Sequence, residues 1–464
     1  MRIFDTSTYV KEEEKQGEIP KYGKVLKDVM KIVWPSMLEG FLVALVTMFD
    51  GVMVSSLGNN ANSAVTITKQ PIFLMISIIT ALNIALTAIV SRRFGAKNQT
   101  DVNKTLHEGI KLSVIFAIVL SIIGFSFARQ FCYLMGATEN TIDYATSYLS
   151  IIAAGFIFNA LRLTINACQR GIGKTKISLY TNLVANIVNI GLNYLLINGN
   201  FGFPALGIAG AAIATVIGNA VAFVISFITI LNPKGYLQFS IKQLFSYDKE
   251  CLGNIFKILP STMVDQLFLR FGFIIFALIV NYLGDDATYV HGVCQDINSL
   301  MFTLADGFSI GTAAIVGHRL GEKRQDLAMV YAKVSMMMSF MCAVLVAVFV
   351  VCCRGLLVGL YQPETEYRLE SAKIILLIAA FMMLPQNTSW VITGILRGSG
   401  DTKFTAITSL ISVVFVRPIA AYILCYPLGL GVVGAWIGMV IDQVVRLSLN
   451  SYRFSQKKWV KITV

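Results

Sequence analysis

Long apolar runs alternate with short polar turns along almost the whole chain. Twelve runs stand out, at about 32–57, 71–91, 109–128, 143–168, 177–198, 207–231, 258–282, 296–316, 330–353, 372–394, 404–426 and 433–452. Each approaches the roughly 20 mostly apolar residues that an α-helix needs to cross a bilayer. The pattern predicts an all-α polytopic membrane protein with twelve transmembrane helices.

The pattern also repeats. Leu57-Gly58-Asn59-Asn60-Ala61 matches Leu283-Gly284-Asp285-Asp286-Ala287, and Ala88-Ile89-Val90 with Arg93, Gly95 and Lys97 matches Ala314-Ile315-Val316 with Arg319, Gly321 and Lys323, all at an offset of 226. Arg170-Gly171-Ile172-Gly173-Lys174-Thr175-Lys176 matches Arg397-Gly398-Ser399-Gly400-Asp401-Thr402-Lys403 at 227, and Leu206–Ala211 matches Leu430–Ala435 at 224. The chain therefore reads as two pseudo-symmetric six-helix lobes. Because six is even, both copies enter the membrane in the same sense, related by an axis along its normal. The expected organisation is an N-terminal tail at 1–31, an N-lobe at 32–231, a linker at 232–257, a C-lobe at 258–452 and a tail at 453–464.

Composition agrees: 56% of the 464 residues are hydrophobic and 14% charged, too apolar for soluble domains. The net charge of +12 would suggest nucleic-acid binding in a soluble protein, so the placement of Lys and Arg decides its meaning. With the N-terminus inside, 27 fall on the inner side and only Lys69, Arg129, Arg354 and Arg368 on the outer. By the positive-inside rule this puts both termini in the cytoplasm of a cell-membrane protein and leaves no need for nucleic acid. The eight cysteines are scattered through apolar segments without a zinc or redox spacing, and the N-terminus has no cleavable signal pattern.

Two duplicated bundles naturally form a cleft that opens to either side, so transport by alternating access is the expected use. Gly171-Ile172-Gly173-Lys174-Thr175 ends like a phosphate-binding loop, but Cys168 stands where that loop needs glycine and the repeat has Asp401 in place of the lysine. No HExxH or GxSxG motif marks an enzyme. An ion gradient is the remaining common drive, and no cofactor is expected.

Ionisable residues inside spans are costly and therefore candidates for ion or substrate work. Glu39 and Asp50 are 11 residues apart in the first span, which puts them within about 20° on one helix face. Asn182, Asn186, Asn189 and Asn193 form a carboxamide stripe in the fifth span, able either to hold Na⁺ beside Asp50 or to join helices. Asp265 is the repeat mate of Glu39, with Gln266 next to it and Arg270 one turn beyond Gln266. Asp306 lies well inside the eighth span, whereas His291 and Asp296 sit nearer its outer end. Asp442 and Arg446 have the spacing of a local salt bridge, and Arg162 and Arg417 could each hold a carboxylate. Thirty Phe, 17 Tyr and 17 Met suit a wall that repacks around flat cations.

These residues resemble the multidrug and toxic compound extrusion (MATE) transporters of the prokaryotic branch. The likeness rests on Trp34-Pro35 with Glu39, on Asp50 with Val54 and Leu57-Gly58, and on Leu163 to Lys176 ending Arg-Gly-x-Gly-x-Thr-Lys. It continues in Leu259-Pro260 with Asp265-Gln266 and Arg270-x-Gly272, Gly307-Phe308-Ser309-Ile310 through Val316-Gly317, Leu396-Arg397-Gly398-x-Gly400-Asp401-Thr402, and Arg453-Phe454 with Trp459. It covers about 30 to 460. The resemblance implies a monomeric antiporter in the membrane lipids that exports organic cations or drugs in exchange for Na⁺ or H⁺. It further implies that Asp50 is the coupling carboxylate with Asn189 beside it, the pair that would bind Na⁺. Two positions depart from the family pattern: Asn193 replaces an aspartate, and Phe268 stands where some members have a glutamate. A lipid-linked oligosaccharide flippase of the same superfamily is the alternative reading; it would need Arg162, Arg270 and Arg417 gathered for an anionic cargo.

Overall fold

The computed structural model describes residues 5–55, 57–361 and 365–462, apart from the side chains of Ser7, residues 47–52, Ser55 and Asn59. All the described regular structure is helical. The first half contains α1 (Tyr22–Ser55), α2 (Asn59–Gly95), α3 (Gln99–Ser126), the short α4 (Ala128–Leu134), α5 (Ile142–Ala154), α6 (Phe156–Gly171), α7 (Thr175–Asn198) and α8 (Gly207–Leu231). The second begins with the short α9 (Ile241–Leu244), followed by α10 (Lys249–Asn281), α11 (Asp285–Gly321), α12 (Gln325–Gly359) and α13 (Glu366–Gly398). Then α14 (Thr402–Ser409) runs through a π-helical turn at Leu410–Val416 into α15 (Arg417–Cys425), and α16 (Gly431–Ser455) ends the bundle.

Ten of these helical stretches are long and apolar enough to cross a membrane, counting α14 to α15 as one. The pair α5 and α6, bent by 50°, makes an eleventh span. The break falls at Gly155, where an added Cβ would come within 2.3 Å of Val216 on α8, so the residue that ends the helix is also the one that admits its neighbour. The twelfth span is α7, 24 residues long, whose five asparagines dilute its apolar character. The helices also extend beyond the apolar runs. In α1 the first ten residues carry Lys24, Lys27, Asp28 and Lys31, which an apolar window passes over, although Asp28 accepts the Tyr331 hydroxyl at 2.8 Å.

The duplication is written into the backbone. Left-handed φ values recur at matching places: Gly58 and Gly284, Lys97 and Lys323, Gly173 and Gly400, Gly207 and Gly431. Each pair lies at a span end, where a residue with positive φ turns the chain out of one helix or into the next. The outer surface repeats too. Ile115, Ile118, Val119 and Ile122 of α3 are exposed, and so are their mates Met341, Val344, Leu345 and Val348 of α12. The i, i+3, i+4, i+7 spacing makes each set a single apolar stripe, which suits a face turned to lipid.

The chain divides into two compact units, one of Met1–Gly40 with Pro260–Val464, the other of Phe41–Leu259. In the first, Val25, Val29 and Val33 of α1 pack with Phe308 and Ile315 of α11, and a Cβ on Gly307 or Gly311 would fall within 2.7 Å of Met37 or Val33. Small residues set that close approach, which is how membrane helices gain packing without a hydrophobic drive. In the second, Met75 and Ile79 of α2 pack with Ala117 of α3 and Phe156 and Ala160 of α6.

Candidate functional site

In the unit of Met1–Gly40 and Pro260–Val464, buried charge is concentrated between α10, α11, α13, the π-helical turn and α16. Asp265 of α10 is fully buried and is held by three donors. Arg397 at the end of α13 gives an ion pair of 2.8 Å, Ser409 Oγ donates at 2.6 Å and Thr405 Oγ1 at 3.5 Å. The anion is balanced as well as hydrogen-bonded, which is what a carboxylate in a low-dielectric interior requires. Ser409 sits where α14 passes into the π-helical turn, and Pro418, which has no N–H to donate, lies just past its end.

A second pair lies just past this turn, between α15 and α16. Arg417 grips Asp442 of α16 through Nε at 3.0 Å and Nη2 at 2.6 Å, with both side chains almost completely buried, and Gln443 adds a donor at 3.2 Å. The spacing of Asp442 and Arg446 pointed to a local salt bridge between them; the structure corrects this. Arg417 approaches from across the helix pair, and Arg446 turns instead to Ser412 Oγ at 3.2 Å and to the face of Trp390.

Trp390 of α13 joins these groups. Its ring lies 5.3 Å from the Arg397 guanidinium and 5.8 Å from that of Arg446, within cation–π range. Its indole N–H donates to Asp306 Oδ1 at 3.0 Å, and Phe302, one turn before Asp306 on α11, meets the ring edge-on at 5.0 Å. The close run of α11 along α13 brings these side chains together: a Cβ on Gly394 would lie 2.4 Å from the Ser309 carbonyl. Asp306 is half-buried, and among the described residues no lysine or arginine pairs with it. It is thus unlike Asp265 and Asp442. Its charge faces a neutral donor and an aromatic edge, leaving Oδ2 without a hydrogen bond among the described residues.

Among the described side chains between α2, α3, α6, α7 and α8 in the unit of Phe41–Leu259, carboxamides and hydroxyls gather, with the Arg162 guanidinium among them. Arg162 of α6 donates to the side-chain oxygens of Asn182 and, at 2.8 Å, of Asn159, so it holds carboxamides where a carboxylate was conceivable. Asn189 donates to Thr215 of α8 at 3.2 Å, and Asn193 to Asn189 at 3.3 Å. Asn182, Asn189 and Asn193 are therefore buried, the first joining α7 to α6 and the second to α8 while the third bonds along α7, and Asn186 is half-buried. Around them Thr164 donates to Asn83 and Ser113, both at 3.1 Å, and Asn166 bridges Thr181 and Ser226.

Of the other expected site residues, Gln266 is buried beside Asp265, Arg270 is half-buried on the same helix, and Glu39 is half-buried on α1. The side chain of Asp50 lies outside the described residues. His291 is inside α11, packed between the rings of Phe276 at 5.5 Å and Trp436 at 5.8 Å. Among the described residues, no group of three His, Cys, Asp or Glu could hold a metal ion. Sequence reasoning passed over Arg397, counted as a basic turn residue, and over Trp390, Ser409 and Ser412. The available signal was Arg397 recurring with Arg170 in a segment otherwise polar and small.

Against known proteins, the MatE family model matches residues 35–195 and 261–423, one match in each half. The chain belongs to the MatE family. Curated relatives of this MatE chain include an uncharacterized transporter, YisQ, of Bacillus subtilis, 26% identical over 93% of this chain and 95% of that protein. A probable multidrug resistance protein, NorM, of Thermotoga maritima is 25% identical over 96% and 95%. Among solved structures, a MOP superfamily transporter from Pyrococcus furiosus superposes with a TM-score of 0.88 at 19% identity, covering 95% of this chain and 97% of that one. An outward-facing multidrug resistance MATE transporter gives 0.86 at 20% identity, covering 95% and 100%. The MatE fold of two duplicated six-span halves accounts for the twelve spans, and the family is one of multi-span membrane transporters.

Proposed function

We propose that this MatE chain is a cation-coupled antiporter that exports organic cations by alternating access, driven by Na⁺ or H⁺, with both termini cytoplasmic and the chain working as a monomer. The observation that carries the reading is Asp306. Asp265 and Asp442 are each closed by an arginine, so a visiting cation would have to displace a buried guanidinium to reach them. Asp306 is paired with no arginine or lysine among the described residues; its described partner is the Trp390 indole N–H, and the Trp390 ring meets Phe302 edge-on. Asp50 is its proposed partner in coupling, with Asn189 as a candidate Na⁺ ligand. The names of relatives such as NorM, a probable multidrug resistance protein, agree with this substrate class.

Two of the three arginines that an anionic cargo would need are engaged elsewhere. Arg417 is spent on Asp442, and Arg162 on Asn159 and Asn182. Ethidium efflux from reconstituted vesicles, under a Na⁺ gradient and a pH gradient imposed separately, tests the proposal. Efflux is expected with one of the two, and Asp306→Asn should reduce the driven rate at least ten-fold with the protein still inserted. Full activity of Asp306→Asn would remove this carboxylate from the mechanism, and no response to either gradient would remove cation coupling.

A further inference from the structure

The linker between α8 and α10 has two faces. Its inner face is fastened to α3 and its neighbours. Leu237 is buried, and Phe239 stacks on the His107 ring at 5.4 Å and meets Phe227 edge-on at 5.0 Å. The Ser240 N–H donates to His107 Nε2 at 2.9 Å, the Gln238 N–H to Asn103 Oδ1 at 2.9 Å, and the Asp248 N–H to Glu108 Oε1 at 3.1 Å. Lys111 reaches the Ser246 carbonyl at 2.6 Å, and Lys104 pairs with Asp248 at 3.0 Å. With this many attachments the segment is a fitted strap.

Its outer face is apolar and uncovered. Ile241 is 69% exposed, Phe245 84% and Tyr247 70%, the first two one helical turn apart on and just after α9. Lys234, Lys242 and Lys249 are exposed around them. The strap starts where the apolar span α8 ends, at Leu231, and stops where α10 begins, at Lys249. Phe256, about half exposed, follows seven residues into α10, roughly 10 Å along the axis. The strap's backbone is mostly irregular, and irregular backbone facing lipid is not tolerated within the hydrocarbon region. Its level is therefore the membrane surface on the lysine-rich side.

We propose that this face is an interfacial anchor: Ile241, Phe245 and Tyr247 enter the headgroup region of the adjacent leaflet, and Lys234, Lys242 and Lys249 select anionic lipid. Aromatic side chains favour that layer because it takes an apolar ring and a polar rim together, and lysines next to it are attracted by a negative surface. The occupant is lipid because the patch continues the lipid-facing surface of α8 and α10 and because its exposed lysines, Lys234, Lys242 and Lys249, outnumber the one exposed carboxylate beside them, Glu250, an excess that complements anionic headgroups. The inference requires only that the spans be embedded, so it stands or falls independently of the efflux reading.

Trypsin cleavage after Lys242 tests it on the full chain in nanodiscs, where both faces are accessible. In discs with one-third phosphatidylglycerol, cleavage should be about ten-fold slower than in phosphatidylcholine alone. The double variant Phe245→Ser/Tyr247→Ser, monodisperse by gel filtration, should lose that difference. A complementary probe is Phe245→Trp in discs with lipid brominated near the headgroup, where the added emission should fall at least two-fold relative to unbrominated lipid. Equal cleavage in both lipids, protection that survives the double variant, protection arising only when soluble protein is added, or unquenched emission from the added indole would overturn the anchor.

Discussion

Two buried polar clusters of the molecule are built differently. The one in Pro260–Val464 encloses ion pairs, Asp265 with Arg397 and Asp442 with Arg417, while the described cluster around Thr164, Asn166 and Asn189 in Phe41–Leu259 is made of carboxamides and hydroxyls. Because the halves are repeats, the divergence can be followed at matched positions. Arg170, the mate of Arg397, donates to Ser178 at 3.0 Å; the mate of Ser178 is Thr405, which donates to Asp265. The Ser178 hydroxyl is thus among the partners of Arg170, and the Asp265 carboxylate is the partner of Arg397. A duplicated scaffold can keep its backbone while the side chains at matched positions change.

The sharpest way to break the comparison is to leave one of those partners out. Arg417→Met strands the Asp442 carboxylate inside the bundle and should cost about 3–5 kcal/mol, seen as a large fall in thermal stability in detergent. Adding Asp442→Leu should restore most of the loss, since a well-packed apolar pair replaces a buried ion pair at little cost or at a gain. If the single variant were as stable as the parent, the ionic character of this cluster would have no structural weight.

The neutral cluster should respond more mildly. Asn166→Leu removes the bridge between Thr181 and Ser226 but leaves only hydroxyls unpaired, a loss of about 1–2 kcal/mol by the same measurement. A loss as large as that of Arg417→Met would erase the distinction.

The smallest effect belongs to a charge at the surface. Asp248, on the strap, accepts the Cys251 N–H at 2.9 Å and pairs with Lys104, which holds its carboxyl down at about 2 from the usual 3.8. A depressed folded value means that the contribution is complete above 3.8 and is lost as pH falls through about 2. Hydrogen exchange of residues 246–251 should therefore quicken only in that acidic window, and Asp248→Asn should abolish the pH step.

Much of the fold could be read directly. Apolar runs, basic turns and the repeat at 226 gave the spans because lipid imposes a one-dimensional rule on each helix separately. Where a helix end was polar, as in the first turns of α1, the run was too short a guide. The site was legible only in part. Asp265 and Asp306 were visible as carboxylates out of place, but Arg397 and Arg417 lie 132 residues after Asp265 and 25 before Asp442, and no local pattern pairs residues across such separations. The asparagine stripe was seen, yet its bonds to Arg162 and Thr215 depend on which neighbours the bundle brings alongside.

That stripe also bears on how the protein is made. A helix carrying five amides has a weak preference for lipid when it leaves the insertion machinery alone, and α7 emerges after α6, which supplies Arg162, and before α8, which supplies Thr215. Its stable residence in the bilayer depends on those neighbours arriving to meet its amides, so α6 to α8 would integrate as one cooperative step of biogenesis in place of three independent ones.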